Sequence, residues 1–164
     1  MDGFDHAILG LLETDARQSY VALAEQVGLS KTPCWARVQS LEKAGVIRGY
    51  RAMLDPTALG LGLVAFIQVS IDFGSHAAFE AAVVAHPAVI ECYTTAGDGD
   101  YLLKVGTSDV ERLDALLRMD LCRLPGVQRF STKICLKTIK DTAPLTKTAA
   151  FARVASTQRE GRSA

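Results

Sequence analysis

Two stretches of this sequence gather residue types that could do chemistry. Between Ser30 and Lys43 the polar side of a helical wheel carries Thr32, Ala36, Gln39 and Lys43. Trp35 and Arg37 flank that side, and Ser30, Lys31 and Pro33 stand at its start. Glutamine can pair with an adenine edge, and alanine or threonine can meet a thymine methyl. Hydroxyls and free amides at a helix N-terminus can hold a phosphate, and Lys31 and Arg37 would add phosphate charge. The second stretch is Gly97-Asp98-Gly99-Asp100, a strong hairpin-turn signature. Its amides and carboxylates could also hold the carboxylate and ammonium of an amino acid, as loops often carry function. Thr94 and Thr95 precede it, and Ile134 and Leu136 would supply an apolar wall.

Other chemistries find little support. His6, His76 and His86 are scattered, and no nucleophile–base arrangement, phosphate-binding glycine loop or paired-carboxylate motif stands out. No enzymatic activity and no cofactor are therefore expected. Cys34, Cys92, Cys122 and Cys135 form no C-x-x-C pair, so no zinc site is expected. Each cysteine lies among apolar neighbours and reads as a small buried hydrophobe. Asp98 and Asp100 alone offer too few oxygens for a calcium loop.

The elements that must position the two stretches follow from periodicity. Ala7, Ile8, Leu11 and Leu12 recur at helical spacing, with Asp2 or Asp5 able to cap. Ser19 caps a second helix whose stripe is Tyr20, Leu23, Ala24 and Val27, and Gly28 stops it. A third helix starts near Lys31 with Pro33 in its first turn, runs to Ala44 and ends at Gly45. Its Cys34, Val38 and Leu41 face the first two helices. Two short helices joined through a glycine turn have the shape of a helix-turn-helix DNA reader. Three-helix units with one polar face also occur in proteins that never touch DNA, and Trp35 fits either a core or a contact role.

After Gly45 the period changes to two. Val46 to Leu54 reads as a strand ending at Asp55-Pro56. Strands are also expected over 65–73, 88–96, 100–107 and 127–138, with helices over 76–86 and 109–123. Ala65, Ile67, Val69, Ile71 and Phe73 fall on one face of their strand, and Phe66, Gln68, Ser70 and Asp72 on the other. Val110, Leu113, Leu117, Leu121 and Leu124 form a helical stripe, and Phe130, Ile134 and Leu136 are expected to face inward. The order β-α-β-β-α-β is that of a ferredoxin-like split βαβ unit. The fold class is therefore α+β: a three-helix, winged-helix-type helix-turn-helix domain at 1–54, a linker at 55–61 and a ferredoxin-like domain at 62–140. Residues 141–164 lose periodicity and read as a tail. One sheet face, carrying Phe66, should be bare and suited to a second copy.

Composition agrees with a globular chain: 164 residues, 49% hydrophobic and 22% charged. A formal net charge of +0 argues against indiscriminate binding to polyanions, yet the charge is uneven. Residues 1–30 hold five acids and one arginine, whereas residues 31–51 hold five basic residues and one acid. That sign change is either a partner signal or two solvated faces. The apolar run from Leu61 to Ile71 is too short to span a membrane, and the acidic start is unlike a secretory leader, so a cytoplasmic protein is expected.

Specific residues then resemble a known family. Met1 to Leu9 resembles the opening of Lrp/AsnC (leucine-responsive, feast/famine) regulators. Ala22-Leu23-Ala24 through Val27-Gly28-Leu29-Ser30, Thr32-Pro33-Cys34, Arg37-Val38 and Leu41-Glu42 are similar to their helix-turn-helix. Gly45 to Tyr50 resembles the strand that follows, and Gly97 to Leu103 with Leu124-Pro125-Gly126-Val127 resembles two signatures of their C-terminal domain. The resemblance covers residues 1–140. It implies a homodimer formed through the ferredoxin-like domain, often assembled further into octamers, that binds double-stranded DNA. It also implies an amino-acid effector held between dimers and control of amino-acid metabolism genes. A metabolite-binding oligomeric module without DNA binding is the alternative.

Overall fold

Asp2 starts the first helix. Its side chain accepts from the Asp5 amide while the Asp5 carboxylate accepts from the Asp2 amide, a reciprocal capping box that satisfies two free donors. The helix, α1, runs Gly3–Thr14 in a computed structural model that describes residues 1–160. Ser19 caps α2 (Tyr20–Val27), which ends at Gly28 with φ 71°, a left-handed position that costs glycine little. α3 follows as Lys31–Lys43, with Pro33 in its first turn. Cys34, Val38 and Leu41 are buried with Ile8, Leu23 and Ala24, so the three helices share one small core.

Val46 to Leu54 is not a strand, contrary to the sequence reading. A strand exists only against a partner, and no other segment pairs with this one among the described residues. Ile47 packs on the helical core, while Met53 and Leu54 are exposed.

The second unit is an antiparallel sheet in the order β2-β3-β1-β4. Its strands are β1 (Leu63–Ile71), β2 (Val89–Thr94), β3 (Tyr101–Thr107) and β4 (Val127–Ile134). β1 alternates as expected, with Ala65, Ile67, Val69 and Ile71 buried. α4 (His76–Ala85) lies between β1 and β2 in sequence, and α5 (Val110–Ala115) follows β3. Phe79 and Val83 of α4 and Leu113 of α5 cover the Ala65–Ile71 face. The expected βαββαβ order is present, with narrower bounds.

Several expectations change. Phe73 lies beyond β1 and is exposed, because the alternation ends with the pairing at Ile71. The helix expected over 109–123 passes from α5 into a π turn at Leu116–Asp120 and a 3-10 turn at Leu121–Arg123. The wide turn re-phases the stripe: Leu113, Leu116 and Leu121 are buried, Leu117 is half-buried and Val110 is exposed. β4 stops at Ile134, so Leu136 points off the sheet and is 97% exposed. Phe130 and Ile134 lie on the helix side of the edge strand but stay partly exposed, since they fall outside the buried cluster under the helices. Only Cys34 of the four cysteines is buried. The bare sheet face is more polar than its Phe66 led one to expect: Gln68, Ser70, Arg129, Ser131 and Lys133 share it by register, with a Lys104–Glu91 ion pair of 2.9 Å beside them.

The expected tail is instead largely helical, as α6 (Leu145–Glu160), and residues 161–164 of that expectation lie outside the described residues. Glu13 of α1 accepts from the Leu145 and Thr146 amides, at 2.7 and 2.9 Å, and from the Thr146 hydroxyl. A carboxylate on free N-terminal amides favours the helix there, and these bonds hold the Glu13 carboxyl below its ordinary pKa against the opposing effect of burial. Contacts divide the chain into two units: Met1–Ala52 with the described residues from Ile139 on, and Met53–Thr138.

Candidate nucleic-acid interface and ligand site

α3 has a buried side and an open side. Ser30, Lys31, Thr32, Pro33, Ala36, Gln39 and Lys43 are exposed, and Trp35 is 48% exposed, so it is no part of the helical core. Ser30 is the N-cap by conformation, yet its side chain makes no capping bond, which leaves its hydroxyl and the first amides of α3 available. Gln39 donates to Glu42 at 2.8 Å, and the Tyr50 hydroxyl donates to the other Glu42 oxygen at 2.8 Å. Burial first, then that bond, pushes the Tyr50 hydroxyl up to about 12.

Arg37 has partners within the helical unit. Its Nη1 lies 2.7 Å from Asp5 and 2.8 Å from Asp2, and its guanidinium sits 5.4 Å from the centre of the Phe4 ring. Those two carboxylates pair with the charge that the sequence reading assigned to phosphate. Bonds from Arg37 join the capping-box amides in holding both aspartates below the ordinary carboxylate range. The acidic and basic blocks of the sequence thus meet at one place inside the helical unit.

At Gly97–Asp100 the structure finds a tied turn. Asp100 Oδ2 accepts from the Ile71 amide at 2.9 Å, and the Asp100 amide donates to the Val69 carbonyl. The Thr95 hydroxyl donates to the Gly99 carbonyl at 2.6 Å. The Asp98 carbonyl accepts from Arg129 at 3.2 Å and from the Ser70 hydroxyl at 3.4 Å. Gly97 has φ 139°, which favours glycine, and a Cβ on Gly99 would come within 2.5 Å of Gln68. Tyr101, directly after the turn, is buried; its hydroxyl donates to Glu80 and is pushed up to about 12, chiefly by burial.

The candidates do not all converge. Thr95, Gly97, Asp98, Gly99 and Asp100 are together, and Thr94 pairs with Tyr101 at the adjoining strand end. Ile134 pairs with Ala65, whereas the turn joins the sheet at Val69. Four residues of strand, about 13 Å, separate the two ends. Neither Ile134 nor Leu136 forms a wall for the turn within one chain. Gln68, Ser70, Arg129 and Ser131 do lie beside it, around an open cleft of about 480 Å³ that Asp98 also lines. The sequence reading missed these four. Their alternation was visible, but the β1–β4 register that joins them was not.

The helix-turn-helix and the sheet unit each have known counterparts. Residues 1–48 match the winged helix-turn-helix DNA-binding family, and residues 64–145 match the Lrp/AsnC ligand binding domain. The chain belongs to the Lrp/AsnC family of transcriptional regulators. Among its relatives, the leucine-responsive regulatory protein of Haemophilus influenzae is 39% identical over 145 residues, 87% of each chain. The proline dehydrogenase transcriptional activator of Rhizobium radiobacter is 40% identical, over 87% of this chain and 93% of its own. A transcriptional regulator from Neisseria meningitidis, solved as its L-Met complex, superposes with a TM-score of 0.85 at 37% identity, covering 88% of this chain and 95% of that one. As an Lrp/AsnC member the chain is a DNA-binding regulator with a ligand-binding domain, and not an enzyme. No described helix is long and apolar enough to cross a membrane.

Proposed function

We propose that this Lrp/AsnC regulator reads a specific duplex with the open side of α3 and answers to an amino acid bound beside the Gly97–Asp100 turn. The observation that carries this is the division of α3. Lys31, Thr32, Trp35 and Ala36 stand exposed opposite a fully buried Cys34–Val38 stripe. A recognition helix needs that division: one side seated, the other free to meet base edges. Ser30 and Lys31 would hold phosphate, Thr32, Ala36 and Gln39 would meet bases, and Lys43 would track the backbone. Selection of duplexes from a random pool tests it: Gln39→Ala should relax one base-pair preference, and Lys31→Ala should flatten the salt slope by about one ion's worth. Native affinity in both variants would overturn the placement.

The effector reading rests on the polar cleft beside the turn and on the bound L-Met of the Neisseria relative. With Ile134 and Leu136 removed from the turn, nothing in one chain favours an apolar over a polar amino acid. Isothermal titration with the common amino acids tests the reading, and heat from none of them would end it. A homodimer buried through the Phe66 face, assembling further into octamers, is proposed on the half-buried Phe66 and the uncovered sheet. Light scattering that finds only a 17.6 kDa monomer would contradict it. Control of amino-acid metabolism genes in the cytoplasm, where the DNA lies, completes the reading.

A further inference from the structure

We infer that Arg37, Asp2 and Asp5 form a positioning clamp that fixes the roll of α3, and so sets sequence discrimination without touching DNA. The inference rests on the reading that α3 enters the major groove. The apolar contacts under α3 come from Cys34, Val38 and Leu41, three side chains of modest size. Such contacts are non-directional and leave rotation about the helix axis weakly determined. Arg37 lies at the side of that stripe and supplies direction. Its Nη1 meets Asp5 at 2.7 Å and Asp2 at 2.8 Å, with the Phe4 ring beneath the guanidinium.

Both carboxylates are themselves fixed. Each accepts a backbone amide of the other residue's position, so neither can turn away without opening the first turn of α1. The result ties the middle of α3 to the capped first turn of α1. Asp2 and Asp5 also offset the guanidinium charge, which removes a cation from the reading unit that would otherwise attract any phosphate. A bidentate base contact tolerates only small angular error, roughly 10–20°. Loosening the clamp therefore costs the selected duplex more than a scrambled one.

The test uses the full chain and two probes: a duplex that the native chain selects from a random pool, and a scrambled duplex of the same composition. The Asp2→Asn/Asp5→Asn double variant keeps both cap acceptors, since asparagine also caps well, and removes both charges. Its ratio of selected to scrambled affinity should fall by roughly fivefold or more, the lower range for one base-edge contact. Affinity for the scrambled duplex should stay level or rise. Arg37→Ala should lower the ratio likewise with an unchanged salt slope, and Arg37→Lys, which can still pair, should recover part of it. A salt slope in Arg37→Ala that falls by about one ion's worth would overturn the inference, because Arg37 would then be a phosphate contact. So would a native ratio in the double variant, or equal proportional losses on both duplexes, the signature of simple unfolding. If the native chain selects no duplex, the groove reading fails and this inference with it. If it does select one and the double variant discriminates as well, only the clamp fails.

Discussion

The open side of α3 and the Gly97–Asp100 turn are both polar, and they treat their polar groups in opposite ways. On α3, Lys31, Thr32 and Trp35 face outward and the Ser30 hydroxyl makes no capping bond. In the turn, the Asp100 carboxylate, the Thr95 hydroxyl and the Asp98 carbonyl are each bound to a neighbour. The first region turns its polar groups outward and relies on a core beneath for its shape. The second makes its shape from its own hydrogen bonds. A polar surface of the first kind loses binding when mutated, and one of the second kind loses structure first. Any ligand of the turn meets a formed cradle and contends for few groups that are free.

Asp100→Ala should show the largest loss of stability. It removes the acceptor of the part-buried Ile71 amide, at a cost of about 1–3 kcal/mol, read in denaturant unfolding. Asp100→Asn should cost less, because an amide oxygen still accepts. An unchanged midpoint for Asp100→Ala would erase the contrast between the two regions. Thr95→Val comes next, losing one hydrogen bond worth about 0.5–1.5 kcal/mol. On α3, Thr32→Ala should stay within about 0.5 kcal/mol of native stability while lowering affinity for a selected duplex. A clear drop in melting temperature there would show that the open side is not open.

Acid should sharpen the comparison from a different direction. Asp2, Asp5 and Glu13 all have lowered folded pKa values in the helical unit, as does the α5 cap Asp109 in the sheet unit, chiefly through the Arg112 amide. A lowered folded value contributes stability that is fully present above the unfolded carboxylate range, about pH 4, and is lost as pH falls through the folded value. Hydrogen exchange followed down through that window should show early loss of protection in the first turns of α1, α5 and α6. Protection in those turns that is indifferent to pH would contradict the pairing.

Most of the architecture was legible because it rests on local signals. Asp2, Ser19, Gly28 and Pro33 mark helix ends by chemistry that acts within four residues. The alternation from Ala65 to Ile71 and the Gly/Asp turn are equally local. What the sequence did not show needed distant partners. Val46–Leu54 has a strand's residues but pairs with no other segment among the described residues. Leu136 continued a pattern past Ile134, where β4 ends. Arg37 looked like any basic residue on a reading helix, and only the fold brings Asp2 and Asp5 to it. α6 has no clear apolar stripe, and Glu13, over a hundred residues earlier, anchors its first turn.

That anchoring has a mechanical meaning. Residue 1 and the described residues from Ile139 on belong to the helical unit, and the chain leaves that unit near Ala52 and returns near Ile139. A pull applied between residue 1 and α6 is borne first by the Glu13 bonds to Leu145 and Thr146 and by the helices behind them. Tension reaches the strands only after that clasp opens. The sheet is thereby shielded from a load applied between residue 1 and α6, and the clasp is the fuse.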